Sequence, residues 1–373
     1  MRNKTSGEGR IGLREVAAIA GVSLATVSRV MNGNNRVNSE IQEKVLEAAG
    51  KLNVDFAQRN KTKALAFLFC NRNMLHTFHS RILIGAEESC AEHGWDMIFL
   101  SFSYSPQVPW KELRLPNVIQ RRDVVRAVIL AGTNSANLIQ LLERKGITFV
   151  ALGNNLINQS EALKHDVVYS DDIQGAYDVT RHLITLGHKC ICFVGNTQLP
   201  WFFRCHAGYS KAMEEAGLKP RESLIRSEDD GEIGYLGTKG LLASREPVTA
   251  IFAGNDPSAH GVYKALRDSG LRIPEDISVA GCNDTVGGWL YPGLTTIREF
   301  PEQLGKNMAE LLLRRIADPG GAPRSITIPT ELIKRDSCRV LPSQPTTAEP
   351  INHIAFEPPL SALGRQNDKL PTP

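Results

Sequence analysis

The sequence is poor in what an enzyme, a membrane protein or a disulfide-rich secreted domain would need. It has no GxSxG elbow, no GxxxxGKS/T phosphate loop and no HExxH pair. Nothing in it therefore sets up a serine nucleophile, a nucleotide cradle or a metalloprotease helix. His76, His79, His182 and His188 stand at no metal-ligand spacing, and His182 and His188 are expected to pack or cap locally. No uninterrupted apolar run approaches the length of a membrane span. The opening MRNKTSGEGR lacks the apolar core of a signal peptide. The seven cysteines are odd in number, irregular in spacing and free of a CxxC pair, which favours reduced, mostly buried thiols over disulfides or zinc. These absences predict a cytoplasmic chain that is not an enzyme, with no metal, no cofactor and no membrane partner. What remains is ordinary globular material: 373 residues, 42% hydrophobic and 22% charged. That is enough for two or three domains with sizeable cores.

The densest signal is Leu13–Asn32, LREVAAIAGVSLATVSRVMN. Leu13, Val16, Ala17 and Ala20 recur at spacings of three and four, one face of a helix. Gly21 suits a turn with positive φ. Ser23 can cap a second helix, whose apolar stripe is Val27 and Val30 and which Asn32-Gly33 ends. A third helix is expected at Ser39–Leu52, opening with a Ser39-x-x-Gln42 capping box and turning Ile41, Val45, Leu46 and Ala49 inward. The spacing fits a helix-turn-helix that places its second helix in the DNA major groove; the plainer reading is a helical hairpin. Charge favours DNA: residues 1–63 hold eleven Lys/Arg against six acids, whereas the whole chain is only +3.

From Ala64 onward, apolar runs of strand length alternate with helical patterns. ALAFLFC (64–70), WDMIFLSF (95–102), AVILAG (127–132) and TFVALG (148–153) form one series. VVYS (167–170), CICFVG (190–195), AIFAG (250–254) and ISVAGC (277–282) carry the alternation through a second. Helices are expected at Ser80–His93, Asp172–Leu186, Cys205–Ala216, Glu232–Ala243 and Pro257–Ser269. Continuous apolar strands separated by helices imply parallel sheets covered on both faces, and two series imply two doubly wound lobes. Such lobes bind ligands at the carboxyl ends of their strands. Asn154-Asn155, Asn255-Asp256 and Asn283-Asp284 sit at those ends, able either to face a hydroxylated ligand or simply to cap loops. Trp201-Phe202-Phe203-Arg204, expected in the loop entering a helix, could stack on a ligand and grip it, or could be a core anchor with a surface arginine. The domains expected are a flexible arm (1–10), a headpiece (11–53), a short linker (54–63), a two-lobe core (64–340) and a disordered tail (341–373).

Val16-Ala17, Ala20-Gly21-Val22-Ser23 and Thr26-Val27-Ser28-Arg29-Val30 with Asn32 resemble the headpiece of the lac-repressor (LacI-type) family of bacterial transcription regulators. The resemblance continues through Asp171, Gly175-Ala176, Leu186-Gly187-His188, Asn255-Asp256, the run Gly270–Pro274, Asp276–Val279, Gly281–Asp284 and Leu294–Ile297, covering roughly residues 11–337 less the linker. It implies an all-α helix-turn-helix headpiece plus an α/β periplasmic-binding-protein-like core of two doubly wound lobes. It further implies a homodimer on a palindromic double-stranded DNA operator, with a small effector, a sugar or related metabolite, between the lobes. On this footing Ser23, Leu24, Ala25, Thr26, Ser28, Arg29 and Asn32 face DNA, with Arg29 the candidate for guanine and the hydroxyls and amide for phosphates. Phe78, Asn154, Trp201, Arg204, Asn255, Asp256 and Asn283 face the effector. The competing expectation is a cytoplasmic sugar-binding protein whose headpiece no longer acts on DNA, since VDFAQRNKTK (54–63) is shorter than the family's hinge and holds no leucine wedge. Two more departures stand out. Cys205 occupies the place of the family's arginine ahead of Gly208-Tyr209, and Asn283 the place of a frequent aspartate.

Overall fold

Gly21, at φ +64°, turns the chain between helix α1 (Glu8–Ala20) and helix α2 (Leu24–Met31). The Ser23 hydroxyl accepts from the Thr26 N–H at 3.1 Å and so starts α2 as expected. Helix α3 (Ser39–Lys51) is capped differently: Asn38 Oδ1 accepts from the Glu40 N–H at 3.0 Å, displacing the expected Ser39–Gln42 box by one residue. Leu13, Val16, Ala17, Val27, Val45, Ala48 and Ala49 close a small core. Leu46, expected inside, is 56% exposed. It points about 100° round the helix from Val45, and Ala48, three residues on, takes the inward place.

This computed structural model describes residues 8–31, 37–52, 63–72, 76–157 and 165–342. Asn32, nearly all of the linker and residues 343–373 lie outside the described residues. Residues 8–10, expected in the arm, form the first turn of α1.

The first lobe runs β1 (Ala64–Cys70), α4 (Thr77–Glu92), β2 (Asp96–Phe102), α5 (Asn117–Gln120), β3 (Val125–Gly132), α6 (Ala136–Arg144), β4 (Phe149–Leu152) and β5 (Asp166–Ser170). The second runs α7 (Asp172–Thr185), β6 (Ile191–Gly195), α8 (Pro200–Glu215), β7 (Arg221–Leu224), α9 (Asp230–Ala243), β8 (Ala250–Ala253), α10 (Asp256–Asp268) and β9 (Ser278–Ala280). After β10 (Thr296–Arg298) the chain returns to the first lobe as α11 (Pro301–Ala317) and β11 (Ser325–Ile328), then crosses again to β12 (Glu331–Ile333). The sheets have orders β11-β5-β4-β3-β1-β2 and β7-β6-β8-β9, and every pair in them is parallel. The chain thus passes between the lobes three times, after β5, β10 and β11, with β10 and β12 paired antiparallel at the crossing.

Buried strands such as β1, in which all seven residues are inside, carry the continuous apolar texture that made them legible. The structure corrects three further boundaries, and it places VVYS, expected to open the second series, in the first sheet as part of β5. Helix α4 starts three residues before the expected Ser80, at Thr77. Pro200 at the first helical position starts α8 five residues before Cys205. Leu341, expected in the tail, still donates its N–H to the Leu186 carbonyl at 2.8 Å and so belongs to the folded core. Finally, β7 was not anticipated, because RESL is a polar edge strand with no apolar run to betray it. Among the described residues no helix is long and apolar enough to cross a membrane.

Candidate functional site

Two surfaces deserve building from their residues. On the headpiece, burial of Val27 turns the rest of α2 outward. Ser23, Leu24, Ala25, Ser28 and Arg29 are exposed, and Thr26 is half-buried with its hydroxyl 2.9 Å from that of Ser23. The expected DNA-facing residues within the described chain thus share one surface, and Arg29 is the only basic side chain of α2.

The second surface is the cleft between the lobes, at the carboxyl ends of β1, β4, β8 and β9, where open parallel sheets place their ligands. It encloses about 650 Å³, counting its mouth. Arg72, after β1, reaches across it: Nη2 donates to Asp230 Oδ2 at 3.1 Å, at the start of α9 in the opposite lobe. The guanidinium also lies 4.9 Å from the centre of the Trp201 ring, an attractive cation–π arrangement. Phe78, Trp201, Asn154, Asn255 and Asn283 all line this cleft, as expected. Their polar groups are largely engaged within the fold. Asn154 exchanges hydrogen bonds with the Ser170 main chain at 2.9 Å in each direction. Asn255 caps α10 through Ser258 N–H at 2.8 Å and donates to Asp230 at 3.1 Å. Asn283 accepts from the Thr285 hydroxyl at 2.8 Å. The capping role weighed for these amides is therefore real, and they shape the wall as much as they face it.

Two expected residues are placed elsewhere. Asp256 is fully buried beneath the cleft, accepting from the Thr296 hydroxyl at 2.6 Å and the Gly287 N–H at 3.0 Å. Three donors consume its oxygens, counting the Val286 N–H; it fixes the loop after β9 and does not line the wall. Arg204 belongs to the first turn of α8, not to a loop. It turns away into a neighbouring cavity beside Tyr169, donating to Asp172 at 2.7 Å. Its effect on the cleft passes through Asp172, which does line it.

Sequence reasoning missed Arg72, His76, His79, Asp172, Asp230 and Glu299, all in the wall. No motif marks them; the one signal available was position, since Arg72 follows β1 and Asp172 opens α7 just after β5. Asp172 and Glu299 are both buried in the region where the lobes cross. Burial raises both carboxyls, and the nearby charge of Asp172 raises Glu299 further, to about 7. Ser170 donates to it at 2.8 Å.

A pH dependence follows. Unfolded, Glu299 gives up its proton near 4.5; folded, it keeps it to about 7. The folded chain binds the extra proton between these values, so Glu299 makes stability fall as pH rises through that window, by about 3 kcal/mol. Glu299→Gln should therefore leave the melting temperature unchanged at pH 4.5 and raise it at pH 8, read by calorimetric melts at both. A variant destabilised equally at both pH values would refute the assignment.

The thiols behave as expected: all seven cysteines are free. His188 is buried, with Nδ1 3.0 Å from the Thr249 hydroxyl and Nε2 3.1 Å from the Arg339 carbonyl, a local packing role.

Comparison with known proteins gives the same two parts. Residues 12–54 match the family described as bacterial regulatory proteins, lacI family, and residues 180–338 match a periplasmic binding protein-like domain. The HTH-type transcriptional regulator DegA of Bacillus subtilis is 29% identical over 330 residues, which cover 87% of this chain and 96% of DegA. The transcriptional repressor PurR of Haemophilus influenzae (strain PittEE) is 30% identical over 339 residues, 88% of this chain and 98% of PurR. Among solved structures, the transcriptional regulator CelR in complex with cellobiose superposes with a TM-score of 0.66 at 27% identity, over 87% of this chain and 99% of that one. The lac repressor dimer bound to operator and the anti-inducer ONPF does so at 0.71 and 23% identity, over 88% and 98%, a likeness of fold.

Proposed function

The chain belongs to the lacI family of bacterial regulatory proteins, and we propose that it represses transcription as a homodimer on a palindromic operator, under control of a sugar or related metabolite held between its lobes. As a member of that family it is a DNA-binding transcriptional regulator; the operator's symmetry, the dimer, the effector class and a place in the cytoplasm are the parts proposed. The observation that carries the reading is the pairing, in one chain, of an exposed α2 face bearing Arg29 with a polar cleft formed by both lobes. A single headpiece buries too little surface for tight specific binding, so two are needed. Ile84 on α4, Phe99 on β2 and Trp289 and Tyr291 after β9 are exposed apolar side chains suited to contact with a second copy. A ligand touching both lobes favours their closure, shifts the spacing of the headpieces and so changes DNA affinity. Cellobiose in CelR supports a sugar as the effector. Arg72, Trp201 and Asp230 supply the donors, the aromatic face and the acceptor that a sugar uses.

The test is selection of bound DNA from a random pool by the full chain, with and without ribose and cellobiose. Enriched inverted repeats whose binding changes with one of the sugars are expected. A pool that never enriches, in any ligand state, would favour a sugar-binding protein whose headpiece no longer acts on DNA.

A further inference from the structure

The Arg72–Asp230 pair is buried on both sides, the side chains being 8% and 5% exposed, yet it is incompletely bonded. Among the described residues, Arg72 Nε and Asp230 Oδ1 have no hydrogen-bond partner. Neither has His79 Nδ1, on a ring 94% buried in the same wall, the residue being 6% exposed. The His79 proton can be located. Asn155 Nδ2 lies 3.0 Å from Nε2 and can only donate, so Nε2 accepts and the neutral ring carries its hydrogen on Nδ1. Burial drives this histidine's pKa down to about 3, which keeps it neutral. Two donors and one acceptor are thus held in the cleft with nothing to bond. A buried polar group left unpaired is costly, so the three atoms together ask for a ligand with at least two acceptors and one donor. The surrounding charge adds a restriction. The charges of the wall are already answered: among the described residues Asp230 is paired with Arg72 and Asp172 with Arg204, and Glu299 keeps its proton to about 7, so the wall offers no free cation to an anionic ligand.

We propose that Arg72, His79 and Asp230 read the hydroxyls of an uncharged polyol, and that the lack of an unpaired cation in the same wall excludes its phosphorylated or carboxylated forms. Arg72 Nε and His79 Nδ1 each donate to a ligand oxygen, and Asp230 Oδ1 accepts from a ligand hydroxyl. Because Arg72 and His79 belong to the first lobe and Asp230 to the second, the same three bonds tie ligand recognition to closure. An added anionic group would lose its hydration in this site and find no unpaired cation to replace it. The selection is therefore against charge and not against size. This inference rests on the sugar reading above and deepens it.

The test is calorimetric titration of the full chain with glucose, ribose and cellobiose and with the monophosphate esters of glucose and ribose. At least one free sugar should bind about tenfold or more tightly than a phosphate ester. Asp230→Asn should weaken the free sugar and also narrow the free-to-phosphate ratio about tenfold. Thr285→Lys, which adds a cation to the lining of the cleft, should narrow the ratio by tightening the ester, and it covers the case in which the Asp230 variant does not fold. A phosphate ester binding as tightly as its free sugar would overturn the proposal, as would a ratio unmoved in both variants. Failure of every compound, charged and uncharged alike, would instead remove the sugar reading itself and this inference with it.

Discussion

Replacing Arg29 by alanine should abolish most of the protein's preference for its operator while weak, salt-sensitive DNA binding survives. Helix α2 offers the groove Leu24, Ala25, Ser28 and Arg29. Leu24 and Ala25 are apolar, so they can touch thymine methyls but make no hydrogen bond to a base edge. Arg29 alone has the fork that matches guanine O6 and N7. Each such contact discriminates by about 1–3 kcal/mol, and a dimer carries two, so the loss should fall between about thirty-fold and about twenty-five-thousand-fold. Competition between operator and random duplex at fixed salt measures it. Undiminished preference would take Arg29 out of base reading. The slope of affinity against salt should fall little, because phosphate contacts come from other groups. The arginine lies on the exposed side of α2, opposite the buried Val27, so folding of the headpiece should be unaffected.

The second large effect is on stability. Gly305→Val should prevent the first lobe from folding, or destabilise it by more than about 3 kcal/mol, the upper end for ordinary overpacking. Helices α4 and α11 meet through glycine on both sides. A Cβ on Gly305 would collide with the Ile82 main-chain carbonyl, and one on Gly85 with that of Glu302. The obstacle in each case is backbone inside a helix, which cannot swing aside as a side chain would. The α4–α11 contact holds the helix that carries Phe78 and His79 to the cleft, so effector binding should fail together with folding. Gly240→Ala is the matched control. It too is a helical glycine, but nothing lies within 4 Å of its added Cβ, and it should be neutral or gain up to about 1 kcal/mol. Denaturant unfolding of the two variants beside the parent separates the outcomes. Equal stability of Gly305→Val and the parent would mean that the helices are not packed this closely.

The sequence by itself determined the parts and their order. Leu13, Val16, Val27 and Val45 lie inside the headpiece because a 3.6-residue period has only one way to bury them. The strands at 64–70 and 250–253 were legible because helices cover both faces of a parallel sheet, leaving no polar alternation. Phe78, Trp201, Asn255 and Asn283 line the cleft because the ends of such strands are where the two sheets face each other.

The tertiary structure alone decided which polar groups are free to act. Asp256 and Arg204 carry suitable chemistry at suitable positions, yet Thr296 and the loop amides consume one and Asp172 turns the other away. Arg72 and Asp230 stand 158 residues apart, and no spacing in the chain connects them. They meet only when two lobes, joined by three crossings, are folded against each other. Hydrogen-bond partnership and burial are properties of that meeting, and periodicity, which reports only on neighbours a few residues away, does not contain them.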